Sequence, residues 1–409
     1  MRKMKNLDYV ELNYTPDKND LICEFYVEPV HMSLKEAAGE IAAESSIGTW
    51  IETKTTKQYV KRLAAKVFEI NGNNIKIAYP AELFEPGNMP NLLSSVAGNV
   101  FGLKGVKNLR LNDIHFPERL LKSFKGPKYG IDGIRKLLKI SQRPLLGTII
   151  KPKLGLRTED HAKVAYEAWI GGVDIVKDDE NLSSQAFNKF EKRLEKTLKM
   201  KKLAEKETGE KKVYIINVTA ETEEMLRRAK MVETYGNEYI MVDIITVGWS
   251  SLQTLRNKNF NLVLHAHRAG HGAITRNPKH GIAMKVIAKL ARIIGVDQLH
   301  IGTVVGKMFE TKKEVLENCI ALKEKMWKFK QVMPVASGGL HVLHIPELLK
   351  IFGCDVVIQM GGGIHALGTK TGAKAVRDAL EATLQNIPLD EYAQTHPELK
   401  KALEKFKFS

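Results

Sequence analysis

Short apolar runs alternate with amphipathic segments from about residue 136 onward, and this alternation constrains the fold more than any other feature of the sequence. There are eight runs, at residues 144–153, 173–180, 213–220, 239–246, 262–268, 298–307, 332–339 and 356–363. Continuous apolar strands separated by helices are typical of a parallel sheet that is covered on both faces. Eight such units in succession favour a closed (β/α)8 TIM barrel over an open doubly wound sheet.

The segment between the first two runs shows why the intervening stretches are predicted to be helices. Two acidic residues follow Thr158, which we expect to cap a helix, and Gly171 and Gly172 end the periodic pattern. Hydroxyl side chains favour helix N-caps, acidic side chains favour the first turn, and glycine favours the C-terminal end. The sequence therefore predicts a helix over residues 158–170.

The first 127 residues have a different pattern, which predicts a smaller α+β domain ahead of the barrel. Apolar and polar residues alternate as in antiparallel strands at 20–29 and 74–80, and helical patterns occupy 33–45 and 56–67. Gly126, Pro127 and Gly130 interrupt the periodicity. We therefore predict an N-terminal domain at residues 1–127 and a barrel domain at residues 128–409.

The chain is strongly basic, with 63 Lys and Arg residues against 47 Asp and Glu residues and a formal net charge of +16. Such a surplus can serve nucleic acid, membranes or small anionic substrates. Small anions are favoured, because the lysines of residues 189–212 are interleaved with glutamates, as on a solvated helix face. No basic tail, aromatic–basic repeat or zinc-finger spacing is present, so no nucleic-acid partner is expected, and a charge-driven binding protein is kept only as an alternative.

No apolar stretch reaches the roughly 18 residues that a membrane-spanning helix requires, and the N-terminus lacks the apolar core of a signal peptide. Cys23, Cys319 and Cys354 lie far apart and lack metal-binding spacing, which predicts neither disulfides nor a zinc site. These features predict a cytoplasmic protein with no membrane partner.

Polar, charged or glycine residues follow the apolar core of most predicted strands. The C-terminal ends of the strands build the active site of a TIM barrel, so these residues are expected to converge on one pocket. They are Lys151, Lys153, Lys177, Asp179, Glu180, His265, His267, Arg268, His300, Lys307, Ser337 and the glycines at 338–339 and 361–363. Asp179 and Glu180 suit a hard, oxygen-preferring cation such as Mg2+. The glycines and positive charges suit anions, and their number suggests a substrate phosphorylated at both ends.

Each of these motifs also has a purely structural interpretation. KDDE at 177–180 is more often an ion-paired run, HAHR at 265–268 can be core histidines, and GGG at 361–363 can be a strand-to-helix turn. The coincidence of polar ends on most strands of one barrel favours a functional site. Lys177 needs the most explanation, because an ammonium at the end of a buried strand is costly and cannot ligate a metal.

The motifs, taken in order, closely resemble those of ribulose-1,5-bisphosphate carboxylase/oxygenase (Rubisco) over nearly the whole chain. The matching segments are AAESSIGTW (42–50), AGNVFG (97–102), GTIIKPKLGL (147–156), GGVDIVKDDEN (171–181), HAHRAGH (265–271), HIGTVVGK (300–307), VASGGLHV (335–342) and IQMGGG (358–363). The compact length and several motifs are most similar to the archaeal form III large subunits.

The resemblance implies that Lys177 takes up CO2 as a carbamate and ligates Mg2+ together with Asp179 and Glu180. In that family the carbamate removes the proton at C3 of ribulose 1,5-bisphosphate, and the metal stabilises the resulting enediolate. Carboxylation, with oxygenation by O2 in competition, then gives 3-phosphoglycerate. Lys151, supported by Lys153, is implied to move the proton on the opposite side and to protonate the product.

The resemblance also implies roles for residues outside the metal site. His267 would handle a proton near C3, and Lys307 would stabilise the nascent carboxylate. Arg268, His300 and Ser337 match the binding of one phosphate, and the residues that match the binding of the other are Thr49, Trp50, Gly339, Gly361 and Gly362. In the family, the matches of Glu44, Thr49, Trp50 and Asn99 reach the site of the neighbouring subunit, which implies a homodimer or a higher homo-oligomer without a small subunit.

A Rubisco-like enolase or isomerase that does not carboxylate is the alternative function. Such proteins lose some of the matched residues, whereas the full catalytic and metal-binding set is present in this sequence. One departure follows Lys307, where Phe309 and Glu310 occupy a stretch in which the family commonly has a glycine. Loop closure and discrimination between CO2 and O2 are therefore left open.

Overall fold

The computed structural model describes residues 6–48, 53–306 and 309–407, and the predicted site residues Thr49, Trp50 and Lys307 lie outside these ranges. The chain forms two compact units. The first contains the residues up to Gly126 with Gly270–Ile294 and Met326–Lys328, and the second contains Pro127–Ala269, Gly295–Lys325 and Phe329–Ser409. The first unit is thus assembled from three separate stretches of sequence.

The first unit is built on a five-stranded sheet, which confirms the predicted α+β architecture ahead of the barrel. Its strands are β1 (Leu21–Pro29), β2 (Lys66–Asn71), β3 (Asn74–Tyr79), β4 (Val106–His115) and β10 (Gly281–Ile282). The sheet order is β10-β4-β1-β3-β2, and only the β10–β4 pair within it is parallel. Its helices are α1 (Leu34–Glu44), α2 (Met89–Val96), α3 (Glu118–Leu121), α9 (Gly272–Thr275) and α10 (Met284–Ile294).

Of the two helices predicted in this unit, one is confirmed and one is wrong. α1 begins after Ser33, whose side chain forms a capping box with Glu36. The helix expected at 56–67 is instead a 3-10 helix, Gln58–Leu63, followed by β2, which pairs antiparallel with β3. No residue of the 3-10 helix is buried, so it has no apolar face to pack, and cross-strand pairing outweighs the local helical pattern.

The second unit contains the predicted closed barrel of eight parallel strands. They are β5 (Leu145–Ile149), β6 (Ile175–Lys177), β7 (Val213–Asn217), β8 (Tyr239–Asp243), β9 (Val263–His267), β11 (Gln298–His300), β12 (Met333–Ser337) and β13 (Val357–Met360). Consecutive barrel strands are neighbours, and β13 closes the barrel by pairing with β5. Each strand lies within one apolar run, so the prediction of the fold class is confirmed.

One helix, α4 (Gly130–Leu138), precedes the first barrel strand, and the other helices of the second unit follow the strands. They are α5 (Thr158–Ile170), α6 (Phe190–Thr208), α7 (Thr222–Thr234), α8 (Ile244–Asn257), α11 (Lys312–Lys323), α12 (Ile345–Phe352), α13 (Gly362–His365), α14 (Thr369–Leu384), α15 (Leu389–Tyr392) and α16 (Pro397–Phe406). α5 spans the predicted residues, but its N-cap is Arg157 and not Thr158. The Thr158 hydroxyl is buried and donates to Asn188 Oδ1 at 3.1 Å, so a tertiary contact takes the place of the predicted cap.

One apolar cluster fills the N-terminal half of the barrel. Residues near the start of seven strands pack with Ile131, Ile134 and Leu138 of α4, and all of them are buried. Burying each such side chain contributes roughly 1.5–3 kcal/mol. The cluster therefore packs the barrel interior below the polar C-terminal ends of the strands.

Among the described residues, no helix is both long and apolar enough to cross a bilayer. Cys23, Cys319 and Cys354 are free cysteines.

Candidate active site

Lys177, the last residue of β6, is the most deeply buried of the predicted catalytic side chains that the structure describes, at 1% exposure. Its Nζ donates to the Asp178 carbonyl at 2.7 Å and lies 3.0 Å from Met241 Sδ and 3.9 Å from Glu180 Oε2. Burial lowers the pKa of Lys177, although the carboxylates of Glu180 and Asp179 oppose the shift. The neutral amine is the form that adds to CO2, so this environment favours the chemistry that the resemblance implies.

Asp179 lies beside Lys151, which follows the end of β5. Lys151 Nζ donates to Asp179 Oδ2 at 2.8 Å, and the Asn181 side chain donates to Oδ1 at 3.1 Å. Burial acts to raise the pKa of Asp179, but Lys151 and Asn181 outweigh burial and the pKa is lowered. Asp179 is therefore an ionised carboxylate at the pocket, while Lys153, two residues beyond Lys151, is exposed.

The donor set around Lys177 suits a hard cation once this lysine carries a negative charge. Asp179 and Glu180 provide two carboxylates, and the described residues contain no group of three His, Cys, Asp or Glu side chains placed to hold a metal ion. Lys177 Nζ lies next to Glu180, and a carbamate at this position would add a third anionic oxygen ligand. Lys177, Asp179 and Glu180 therefore fit Mg2+.

Asp178, for which no role was predicted, anchors the strand end that carries these residues. Its fully buried carboxylate accepts from Arg193 Nε at 3.1 Å, the Tyr214 hydroxyl at 2.8 Å and the Asn217 backbone N–H at 3.1 Å. Burial acts to raise the pKa of Asp178, but the Arg193 guanidinium and then His161 hold it well below its usual range. The carboxylate is thus a permanent anion that ties β6 to α6 and β7.

The expectation that residues 189–212 form a solvated face is wrong at two positions of α6. Arg193 is fully buried against Asp178, and Lys201 is 5% exposed and bonds to Glu238 at 2.5 Å. Charge spacing alone does not reveal which basic side chains meet a carboxylate of another element. The signal that the sequence carried for Arg193 was only its position between Phe190 and Leu194, both of which are buried.

His267, at the end of β9, is oriented by Asp243, a residue that the sequence analysis did not single out. His267 Nδ1 lies 3.0 Å from Asp243 Oδ1, which also accepts from the Ala269 backbone N–H at 2.8 Å. A carboxylate accepts, so Nδ1 carries the proton and Nε2, 3.7 Å from Glu180 Oε2, is left to exchange protons. Asp243 ends β8 within the run at 239–246, so its position at a strand end was an available signal.

A chain of hydrogen bonds links the neighbouring strands β9, β11 and β12, from Gln298 through His265 and His300 to Ser337. His265 Nδ1 donates to Gln298 Oε1 at 2.8 Å, the His265 and His300 Nε2 atoms are 2.9 Å apart, and His300 Nδ1 lies 2.6 Å from Ser337 Oγ. Burial lowers the pKa of His265 to about 3 and that of His300 well below its usual value. With both rings neutral, His300 donates to His265 and Ser337 donates to His300, so Ser337 presents acceptor lone pairs to the pocket.

Arg268 and Glu310 form a buried ion pair at the same end of the barrel. Arg268 Nη2 lies 2.5 Å from Glu310 Oε1, and the side chains are 5% and 3% exposed. Gly302, with φ of +94°, lies beside the pair: a Cβ there would be 3.4 Å from Arg268 Nη2, 3.5 Å from Glu310 Cδ and 3.0 Å from Val315 Cγ2. The predicted phosphate ligand Arg268 is thus engaged by a carboxylate of the protein.

Two of the predicted site glycines after β12 and β13, Gly339 and Gly361, occupy positions that disfavour a side chain. A Cβ on Gly361 would lie 3.1 Å from Lys151 Cε, and Gly339 has a φ of +72°, which favours glycine. A Cβ on Gly362 would meet no described atom within 4 Å, so this glycine faces open space. The backbone at Gly361 and Gly362 is therefore not covered by a side chain of its own next to Lys151.

Two predicted site residues lie in the first unit and contact each other. Asn99 Nδ2 donates to Glu44 Oε1 at 3.3 Å, and Glu44 is the last residue of α1. The predicted residues Thr49, Trp50 and Lys307 lie outside the described part of the chain.

Two family models match the chain along its length. They are "Ribulose bisphosphate carboxylase large chain, N-terminal domain" at residues 8–120 and "Ribulose bisphosphate carboxylase large chain, catalytic domain" at residues 130–406. A ribulose bisphosphate carboxylase of Pyrococcus furiosus is 50% identical over 408 residues, which cover 98% of this chain and 97% of that protein. One of Methanosarcina mazei is 50% identical over 422 residues, which cover 98% and 99%.

Solved structures of archaeal proteins show the same likeness. An octameric Rubisco from Pyrococcus horikoshii in complex with sulfate has a TM-score of 0.96 and 48% identity, covering 100% of this chain and 98% of its own. A dimeric archaeal Rubisco from Hyperthermus butylicus has a TM-score of 0.92 and 44% identity, covering 99% and 100%. Sequence, fold and the arrangement of strand-end residues agree, and the chain belongs to the ribulose bisphosphate carboxylase large-chain family.

Proposed function

We propose that the chain catalyses the carboxylation of ribulose 1,5-bisphosphate to 3-phosphoglycerate. The observation that carries the proposal is Lys177, a buried lysine with a lowered pKa beside Glu180 and Asp179 at a strand end of the barrel. Relatives that share half of the residues are named ribulose bisphosphate carboxylase. An enolase or isomerase without carboxylation is not favoured, because the relatives reported above carry the carboxylase name.

We propose that Lys177, as a carbamate, holds Mg2+ together with Asp179 and Glu180. The ion, when bound, supplies Lewis-acid polarisation of the sugar carbonyl. The carbamate oxygen of Lys177 accepts the C3 proton. Lys151, whose Nζ is held in the pocket by Asp179 at 2.8 Å, donates the proton that the product carbanion takes up, and Lys153 adds positive charge nearby.

The remaining strand-end residues bind and orient the sugar in this proposal. His267 exchanges a proton through Nε2 near C3, because Asp243 occupies its Nδ1–H. Arg268 and His300, with Ser337 nearby, are the proposed ligands of one phosphate, and His300 Nδ1 lies 2.6 Å from Ser337 Oγ. The proposed ligands of the other phosphate are Thr49, Trp50, Gly339, Gly361 and Gly362, and the proposed partner of the nascent carboxylate is Lys307.

We further propose a homodimer or an assembly of dimers, without a small subunit, as the active form. Glu44, Thr49, Trp50 and Asn99 would complete the site of the neighbouring subunit, and the octameric and dimeric states of similar archaeal structures support this assembly. O2 is the proposed competing substrate, and the cytoplasm the proposed location. The domain boundary is proposed between residues 127 and 128, and the family matches at 8–120 and 130–406 support it.

The test is incubation of the protein with ribulose 1,5-bisphosphate, Mg2+ and labelled bicarbonate. Acid-stable label in 3-phosphoglycerate is expected, and its absence would refute carboxylation. Lys177→Ala and Lys177→Glu are expected to lose the CO2-dependent activation of both turnover and Mg2+ binding. Lys212→Met is the matched control, because Lys212 is also a buried lysine of the barrel but bonds to Val173 O and Glu210. Activation retained in the Lys177 variants would contradict the assigned role.

A further inference from the structure

The Arg268–Glu310 ion pair is the least expected feature of the candidate site. Glu310 lies just before α11, and its side chain is 3% exposed with Oε1 2.5 Å from Arg268 Nη2. A carboxylate so deeply buried needs a cation, and Arg268 serves as one. Arg268 is also the residue that the proposed function assigns to a substrate phosphate. Two anions, the Glu310 carboxylate and a substrate phosphate, would therefore compete for the same guanidinium.

Arg268 retains donor capacity beyond this pair. Within the described residues 6–48, 53–306 and 309–407, its Nη1 is buried and has no hydrogen-bond acceptor. A guanidinium has five N–H donors in a planar fork that matches carboxylate and phosphate oxygens alike. A buried, unsatisfied donor is costly, so this atom is a ready partner for an incoming oxyanion.

We propose that Glu310 is an internal competitor for the phosphate site, holding Arg268 when no substrate is bound and releasing it to the substrate phosphate. The inference rests on the proposed function, because it takes Arg268 as a phosphate ligand. Glu310 then sets the affinity of the site and raises its selectivity, since an anion must outcompete a buried carboxylate. A phosphate group carries about 1.5 to 2 negative charges at neutral pH against one for the carboxylate, so it is the favoured occupant.

The charge of Glu310 also opposes any state in which both anions remain close to Arg268. Like charges that share one cation repel strongly where water is excluded. The carboxylate must therefore move away, or the substrate binds more weakly. Glu310 is a positioning residue in this scheme and takes no part in bond making.

The test compares Glu310→Gln with the unmodified protein by titration with inorganic phosphate, without turnover, and by steady-state kinetics. Removal of one negative charge is expected to tighten phosphate binding at least about tenfold. The KM for ribulose 1,5-bisphosphate is expected to fall by a similar factor, with a smaller change in kcat. Glu310→Asp keeps the charge on a shorter side chain and is expected to bind phosphate with an affinity between those of the unmodified protein and Glu310→Gln. It provides a second test of the inference if Glu310→Gln does not fold. Glu317→Gln, a more exposed carboxylate of α11 that is 3.9 Å from Lys313, is the control and should change nothing.

Phosphate affinity that is unchanged or weaker in both folded Glu310 variants would overturn the inference and leave the pair a purely structural one. Arg268→Met separates this outcome from a failure of the proposed function. If Arg268→Met binds phosphate as the unmodified protein does, the assignment of Arg268 to a phosphate fails. If Glu310→Gln binds phosphate more tightly but no variant carboxylates the sugar, the competitor role stands and the proposed reaction falls.

Discussion

Replacement of Asp178 by Asn tests whether the buried ion pair behind the metal-site residues holds the strand end in place. Asp178 and Arg193 are both fully buried, with Asp178 Oδ2 3.1 Å from Arg193 Nε. The substitution keeps the shape of the side chain but leaves the Arg193 guanidinium buried without a counter-charge. Breaking a buried pair in this way costs about 3–5 kcal/mol.

The measurable result is a lower thermal midpoint. At about 2–4 °C per kcal/mol, the loss corresponds to a decrease of roughly 6–20 °C in Tm. Arg193→Met should cost a similar amount, because it leaves the Asp178 carboxylate unpaired. The double variant removes both charges. Its loss of stability should be smaller than the sum of the losses in the two single variants, and the difference should be about 1–3 kcal/mol. Additive effects in this double-mutant cycle would refute the reasoning.

The pH dependence provides a second readout of the same pair. The pKa of Asp178 is lowered in the folded protein, so its contribution to stability is fully present above the unfolded pKa of about 3.9. The contribution is lost as the pH falls from there through the folded pKa. The Tm difference between the unmodified protein and Asp178→Asn should therefore be constant near neutral pH and shrink below about pH 4. Glu195→Gln is the control, because Glu195 pairs with Lys199 on the exposed face of α6 and such surface pairs contribute little; its effect on Tm should be small at every pH.

Two further substitutions probe the site and the packing of the barrel. Asp243→Asn removes the negative charge that stabilises the Nδ1–H tautomer of His267, because the amide offers an N–H as well as an oxygen to the ring. It should lower kcat about a hundredfold or more with little change in KM or Tm; an unchanged kcat would contradict the role of Asp243. Gly372→Ala, in α14, places a Cβ 1.9 Å from the Ile364 carbonyl oxygen and should destabilise the protein by about 1–3 kcal/mol, whereas the same change in an open helix stabilises. Gly102→Ala, whose Cβ meets no described atom within 4 Å, is the control for thermal unfolding, and equal Tm values for the two alanine variants would count against the clash.

The local pattern of apolar residues predicted the barrel. A strand that is buried on both faces gives a continuous apolar run, and a helix that is buried on one face gives a periodic pattern, so both can be identified from residues close in sequence. The pattern also predicted which residues end the strands, and the structure places Lys151, Asp179, His267 and Arg268 at those ends. The prediction of a helix at 56–67 was wrong because it relied on local pattern alone. Its residues obey a helical spacing, but the pairing of β2 with β3 is a contact with another part of the chain, which spacing does not encode.

The sequence by itself therefore determined the architecture, the family and the strand-end residues available for chemistry. Only the tertiary structure decided the partners of those residues: Asp178 with Arg193, His267 with Asp243, His265 with Gln298, and Arg268 with Glu310. The physical reason is that apolar periodicity is a local property of the chain. Ion pairs and hydrogen bonds depend instead on which strands become neighbours and on where each side chain points once the barrel has closed.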